Sequence, residues 1–177
     1  MRGLLKRKSN WLARESSLLA DLCLAYGTLA GLSDREKKTL FLAAYFKNLG
    51  AVFVNSTALE QEFENHKQVL AHLNNLFVQS TQLAHEAGLA EVAVILDQYY
   101  RRSVPEDKLA KIFQVLNAWV ACRHQKAWRP SMSERDTLII LEQRAQLEWS
   151  DPYTVYHFIE YFHRPQPRIE ASNVYQN

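Results

Sequence analysis

Six histidines are the side chains in this sequence best suited to metal binding or proton transfer near neutral pH. They are His66, His72, His85, His124, His157 and His163. His66 and His72 lie six positions apart, so on one helix they face different directions and cannot share a metal ion. A satisfied or solvent-exposed histidine is the preferred interpretation of each position, and a metal ligand is the alternative. The sequence has no Gly-rich phosphate loop, no Cys-x-x-Cys, no His-Glu-x-x-His and no nucleophile elbow.

Two other groups have chemical potential. Tyr99-Tyr100-Arg101-Arg102 joins aromatic rings to cations. Arginines at the negative pole of a helix explain this run more simply than a binding surface does, and both interpretations stay open. Cys23 and Cys122 lie among apolar residues and are too few for a disulfide framework, so we predict buried thiols in a reducing cytoplasm.

The composition of the chain limits the class of protein to which it can belong. The chain has 177 residues, of which 47% are hydrophobic and 23% charged, which indicates one ordered globular domain. The net charge of +2 makes nucleic acid an unlikely partner. No run of about 18 uncharged apolar residues occurs, so we expect no membrane span. The basic segment 1–10 lacks the pattern of a signal peptide, and we expect the protein to be cytoplasmic.

Apolar residues recur at three- and four-residue spacings, which predicts an all-α single domain of about seven helices. Ser33 and Glu36 form a predicted capping box, and Thr57 with Glu60 forms a second that opens a long helix ending at Gly88. Pro105 is expected in the first turn of a later helix. Residues 51–54 are the only weak strand candidate. The helical domain is predicted over residues 11–163, and residues 164–177 are predicted to be a flexible tail.

Three separated strings resemble, in the same order, segments of one protein family. Residues 29–52 are similar to the stretch that leads into and through the signature Leu-His-Asp-Ile-Gly-Lys. Residues 104–133 resemble the segment from Ile-Pro to Asp-Arg-Pro-Tyr-Arg-Pro-Ala-Leu-Ser, and Ser150-Asp151-Pro152 resembles Phe-Asp-Pro. The family is HD-GYP, the bacterial cyclic di-GMP phosphodiesterases of the HD phosphohydrolase group. The resemblance covers about residues 11–162 and implies an HD-domain-like helical bundle.

The resemblance also implies that the catalytic metal ligands are gone. Family members use His and Asp side chains to hold metal ions that activate a water molecule. Glu15 stands where the first ligand His is expected, and Lys47-Asn48 replaces the His-Asp pair. A protonated Lys cannot ligate a divalent cation. Ala51 replaces the Lys that follows the signature glycine.

The later ligands are mostly absent as well. His66 matches one ligand His, whereas Gln98, Tyr99 and Tyr100 replace a His pair, and Asn117 replaces an Asp. The Gly-Tyr-Pro loop is deleted before Ser103. The sequence therefore predicts no catalytic residues, no bound metal and no cofactor.

Three functions follow from the resemblance. The leading hypothesis is a catalytically inactive HD-GYP-like domain that serves as a protein-interaction or signalling module in bacteria, in connection with cyclic di-GMP signalling. The alternative is a sensor that binds a nucleotide or other phosphate ligand in the vestigial pocket, and an active metal-dependent phosphohydrolase is the least favoured. The partner is then another protein or a cyclic dinucleotide, and a dimer is compatible with the sequence. The vestigial pocket is predicted to contain Glu15, Lys47, Asn48, His66, Gln98, Tyr99, Asn117 and Lys126, with anion contacts from Lys47, Arg101, Arg102 and Lys126.

Two contacts can be predicted from these replacements. A lysine at position 47 would lie in the ancestral cavity and would need a counterion, because an unpaired buried ammonium costs several kcal/mol. Glu15 is the expected partner. Trp128 is expected to pack against the domain, with an exposed interface anchor as the alternative. Partner binding is expected near residues 99–103.

Overall fold

The computed structural model describes residues 1–60, 66–126 and 128–163, and the all-α prediction is confirmed. No strand occurs in these ranges, where one isolated bridge joins Lys126 and Arg129. Within the same ranges, no helix combines the length and the apolar character needed to cross a membrane. The helices are α1 (Arg2–Lys8), α2 (Asn10–Leu29), α3 (Asp34–Phe46), α4 (Ser56–Leu59), α5 (His66–Glu86), α6 (Ala90–Gln98), α7 (Lys108–Arg123), α8 (Glu134–Gln146) and α9 (Pro152–His163), with a 3-10 helix over Leu49–Phe53 between α3 and α4.

Several helices begin after a side chain that accepts a backbone hydrogen bond. The Ser33–Glu36 capping box is present as predicted, and Ser133 caps α8. The predicted box at residues 57–60 is wrong, because the side chain of Asn55 accepts the hydrogen bond from the backbone N–H of Thr57 and α4 is a single turn. Pro105 likewise precedes the helix, since Asp107 is the cap of α7.

The main core is built by α2, α3, α6, α7, α8 and α9, with one residue from α5. Tyr26, Phe113 and Phe158 are fully buried aromatic residues within it. The hydroxyl of Tyr26 also lies 2.7 Å from Nδ1 of His157, which joins α2 to α9. Cys23 is buried as predicted, whereas Cys122 is only half-buried. Packing of these helices against one another fixes the positions of the polar residues described below.

The 3-10 helix replaces the weak strand predicted at residues 51–54. Gly50 lies directly against the backbone of α5, where a Cβ atom would come within 2.3 Å of the carbonyl oxygen of Leu76. The backbone N–H of Gly50 donates to Ser80 Oγ at 2.9 Å, and Ser80 Oγ donates to the carbonyl oxygen of Lys47 at 2.9 Å. The glycine thus fixes the end of α3, and with it Lys47, against α5.

The basic segment 1–10 is part of the folded body and not a separate extension. Leu5 in α1 is fully buried, and Lys8 Nζ donates to the carbonyl oxygen of Val54 at 3.1 Å. Ser9 Oγ donates a short hydrogen bond to Glu60. The predicted tail at residues 164–177 lies outside the described residues.

Candidate functional site

A buried carboxylate with two ammonium partners lies at the centre of the candidate site. Glu15 is on α2, Lys47 follows the last residue of α3, and Lys126 belongs to the connector between α7 and α8. Lys47 Nζ lies 2.5 Å from Glu15 Oε1, and Lys126 Nζ lies 3.0 Å from Glu15 Oε2. The predicted Glu15–Lys47 ion pair is therefore confirmed. The second partner is Lys126, which the sequence predicts to contact a bound anion and not to serve as a counterion of Glu15.

Burial and charge act in opposite directions on this triad. Burial raises the pKa of Glu15, but the charges and hydrogen bonds of Lys126 and Lys47 outweigh it and hold the pKa well below the usual range. Burial also lowers the pKa of Lys47; the negative charge of Glu15 opposes this lowering, and the positive charge of Lys126 adds to it. Because the Glu15 side chain is only 1% exposed, each charge in the triad depends on the others for stabilisation.

Lys47 and Asn48, the two residues that follow α3, both join the end of this helix to α2. Lys47 binds Glu15, and the Asn48 amide donates to Ser16 Oγ at 3.0 Å. Both positions are buried. In the described part of the chain, no three His, Cys, Asp or Glu side chains come together in a way that could hold a metal ion. The side chains at positions 47 and 48 thus act as structural cross-links between these helices.

The remaining predicted pocket residues have different surroundings. Gln98 Oε1 accepts hydrogen bonds from the backbone N–H groups of Glu106 and Asp107, so it orders the loop before α7. Tyr99 is 3% exposed, and its hydroxyl has no hydrogen-bond partner among the described residues. Burial raises the pKa of Tyr99, and the negative charge of Glu15 raises it further.

Asn117 and His66 complete the predicted pocket residues. The side-chain oxygen of Asn117 is buried and has no hydrogen-bond partner in the described part of the chain. His66 begins α5, but its side chain lies outside the described residues. The structure therefore brings together Glu15, Lys47 and Lys126, with Asn48 beside them.

Each of the predicted anion-binding cations already has a partner. Lys47 and Lys126 bind Glu15. Arg101 forms an exposed ion pair with Asp97 at 2.5 Å, and the guanidinium of Arg102 lies 4.9 Å from the centre of the Trp149 ring. The four predicted anion-binding cations are therefore engaged in several different contacts and do not form one shared group.

A cleft of about 630 Å³ lies beside the triad, between α2 and the residues that follow α7. Lys126 is shared by the cleft and the triad. The lining residues with polar or aromatic side chains include Trp11, Arg14, Glu60, Arg123, His124 and Lys126. The cations from α2 and α7 were not predicted as site residues, because an exposed arginine on an amphipathic helix looks like part of a solvated face. The common face of positions 10, 11, 14 and 18 on α2 is the signal that could have found them.

Aromatic rings support the cation of Lys126 at this cleft. Trp11 and Trp128 meet edge to face with ring centres 5.3 Å apart. Lys126 Nζ lies 5.2 Å from the Trp11 ring centre and 5.9 Å from that of Trp128. Trp128 is half-buried, as the packing interpretation expects. The connector is therefore held by both ionic and aromatic contacts.

Comparison with known proteins adds no relative. No protein-family model, no curated protein and no solved structure matches the chain. The class that the fold and the site define is an all-helical domain with a buried Lys–Glu–Lys triad beside a cationic cleft. The resemblance to HD-GYP domains rests on the sequence strings.

Proposed function

We propose that this protein is a catalytically inactive HD-GYP-like domain that acts in the bacterial cytoplasm by binding another protein. The resemblance favours cyclic dinucleotide signalling as its setting. The observation that carries the proposal is the triad of Lys47, Glu15 and Lys126. By the resemblance, these residues stand at or beside the positions where the family holds its catalytic metal ions. A cross-link between helices takes the place of a reactive centre.

The chemistry of the triad supports a non-catalytic role. Hydrolysis of a phosphodiester by metal ions requires ligands with free lone pairs around an open coordination position. The carboxylate of Glu15 already binds two ammonium groups, and position 48 offers a neutral amide in place of a carboxylate. Freeing Glu15 for a metal ion would leave Lys47 and Lys126 without their counterion, at a cost of several kcal/mol for a buried charge.

A surface beside Tyr100 supports binding of a protein. Tyr100 is 36% exposed and stacks on Phe77 with ring centres 5.1 Å apart. A shallow cleft of about 300 Å³ next to it is lined by Val78, Asp97 and other residues of α5 and α6. Arg101 and Arg102 are exposed and follow directly in sequence. An exposed tyrosine with aliphatic and arginine neighbours is typical of the residues that dominate protein interfaces.

A hydrolysis assay tests the loss of catalysis. The purified protein and the Lys47→His, Asn48→Asp double variant are incubated with cyclic di-GMP and either Mn²⁺ or Fe²⁺, and the products are separated by chromatography. We expect no turnover from either protein, because the double variant restores two side chains of a larger ligand set and leaves Glu15 with one counterion. Turnover by the unmodified protein would overturn the assignment.

Site-specific photo-crosslinking tests the interaction surface. Benzoylphenylalanine replaces Tyr100 in one variant and Tyr153, which is 78% exposed on α9, in the control variant. Both are expressed in the native host and irradiated. We expect one protein adduct from position 100 that position 153 does not give. Identical adducts from both positions, or none from position 100, would contradict the proposed surface.

A further inference from the structure

The cleft beside the triad contains an excess of positive charge. Arg14, Arg123 and Lys126 line it, and Glu60, which accepts a hydrogen bond from Ser9, is the one carboxylate among the described lining residues. Lys126 is itself shared with Glu15. Among the described lining residues, one carboxylate therefore stands against two guanidinium groups, which leaves an excess of positive charge.

Arg14 is the cation with the greatest capacity for a ligand. Its side chain is exposed, and it forms no hydrogen bond or ion pair with any described residue. Arg123 is partly engaged, because it donates to the carbonyl oxygen of Met132 at 2.7 Å. A guanidinium has five N–H donors in a planar fork, which leaves donors on both arginines for an incoming oxyanion.

His124 provides an independent sign of a missing partner. It lines the same cleft, and its Nδ1 atom is buried without a hydrogen-bond partner among the described residues. Burial lowers the pKa of His124, and Lys126 and Arg14 lower it further, whereas Glu15 and a hydrogen bond to the backbone of Gln125 raise it. The ring adds a hydrogen-bonding group to the cations of the cleft. A buried polar atom without a partner is a costly feature that a ligand or a water molecule can satisfy.

We propose that this cleft binds a small molecule through a phosphate group, held by Arg14 and Arg123 with Lys126 at the inner wall. The volume of about 630 Å³ lies in the range of small-molecule sites. Trp11 forms an aromatic part of the lining, so a planar group attached to the phosphate would have an apolar surface available. This site uses arginines that the proposed protein-binding surface does not use.

Calorimetric titration of the full chain at fixed ionic strength tests the proposal. The probes are inorganic phosphate, pyrophosphate and AMP. We expect saturable 1:1 binding of at least one of them. Tighter binding of AMP than of phosphate would assign a nucleotide, and tighter binding of pyrophosphate than of AMP would assign a polyphosphate; both support the site.

Arginine variants provide the matched control. Arg14→Gln is expected to weaken binding about tenfold or more, since hydrogen bonds to charged groups are worth about 1.5–3 kcal/mol. Arg14→Lys should recover part of the affinity by keeping the charge. Arg135→Gln removes another exposed arginine, on α8, and should change affinity less than about twofold.

Three results would overturn the site. They are the absence of saturable binding for all three probes, equal weakening by Arg14→Gln and Arg135→Gln, or unchanged affinity in Arg14→Gln. Each leaves the crosslinking result at position 100 unaffected, so failure of this site and failure of the protein-binding function can be distinguished.

Discussion

Replacement of Glu15 by glutamine removes the one charge that neutralises two buried or nearly buried lysines. At separations of 2.5 and 3.0 Å, and with an effective dielectric constant of about 20, each attraction is about 6 kcal/mol in gross terms. Most of this is offset because glutamine is cheaper to bury than a carboxylate, and because Lys126, at 12% exposure, can turn toward solvent. The expected net loss in the free energy of unfolding is about 3–5 kcal/mol.

Urea unfolding of a matched series measures this loss. Lys126→Met should cost less, about 1–2 kcal/mol, because Glu15 keeps its hydrogen bond to the more deeply buried Lys47. Lys47→Met should fall between the two. A loss below about 1 kcal/mol for Glu15→Gln, or the reverse order of the three variants, would refute the interpretation of the triad as a structural cross-link.

The charge swap Glu15→Lys with Lys47→Glu makes the role of Lys126 visible. A simple pair would retain more stability after the swap than after either single change. Here the lysine introduced at position 15 would face Lys126 with like charge, so we expect recovery only when Lys126→Met is added. Full recovery by the double variant alone would show that Lys126 contributes little.

The same carboxylate predicts a pH dependence with a definite sign. The pKa of Glu15 is lower in the folded protein than its ordinary value of 4.5, so the unfolded chain binds the proton more readily. Its contribution is therefore present above pH 4.5 and is lost as the pH falls further. The difference in stability between the unmodified protein and Glu15→Gln should shrink from about pH 6 to about pH 3. A constant difference would contradict the lowered pKa.

Three further substitutions test separate contacts by urea unfolding. Gly50→Ala should lower the free energy of unfolding by about 3 kcal/mol or more, because the new Cβ would lie 2.3 Å from a backbone oxygen of α5. Gly3→Ala is the control, which has open space around the new Cβ and should be neutral or stabilising. Equal effects of the two substitutions would contradict the close approach of Gly50 to α5. Trp128→Ala should lose about 2 kcal/mol, less than for a fully buried ring, and unchanged stability would favour an exposed anchor instead. Asn48→Ala should lose about 1–2 kcal/mol through its bond to Ser16, and an effect near zero would show that this bond contributes little.

Local signals in the sequence predicted most of the helices. The Ser33 box and the Ser133 cap are visible because the capping residue and its partner are three positions apart. The errors occurred where two candidates compete within a few residues. Asn55 precedes Thr57 and its side-chain oxygen accepts the backbone N–H of Thr57. Asp107 follows Pro105, and its side-chain oxygen accepts the backbone N–H of Ala110 and so sets the start of α7. A local sequence pattern does not show which of two neighbouring residues will cap the helix.

The site was less predictable than the fold, because its contacts join distant parts of the chain. The Glu15–Lys47 pair was predictable from the need of a buried ammonium for a counterion. The second lysine, Lys126, comes from an irregular connector whose path has no periodic signal. Arg14 and Arg123 resemble ordinary surface residues until the approach of α2 and the end of α7 places them on one cleft.

The triad also restricts the order in which this sequence can change over evolution. Loss of Lys126 leaves Glu15 with its Lys47 partner, so the triad tolerates a change at position 126 more readily than a change at position 47. Glu15 and Lys47 can be replaced without an unpaired buried charge only if both change together. In an alignment of relatives of this chain, we therefore expect positions 15 and 47 to covary more tightly with each other than either does with position 126.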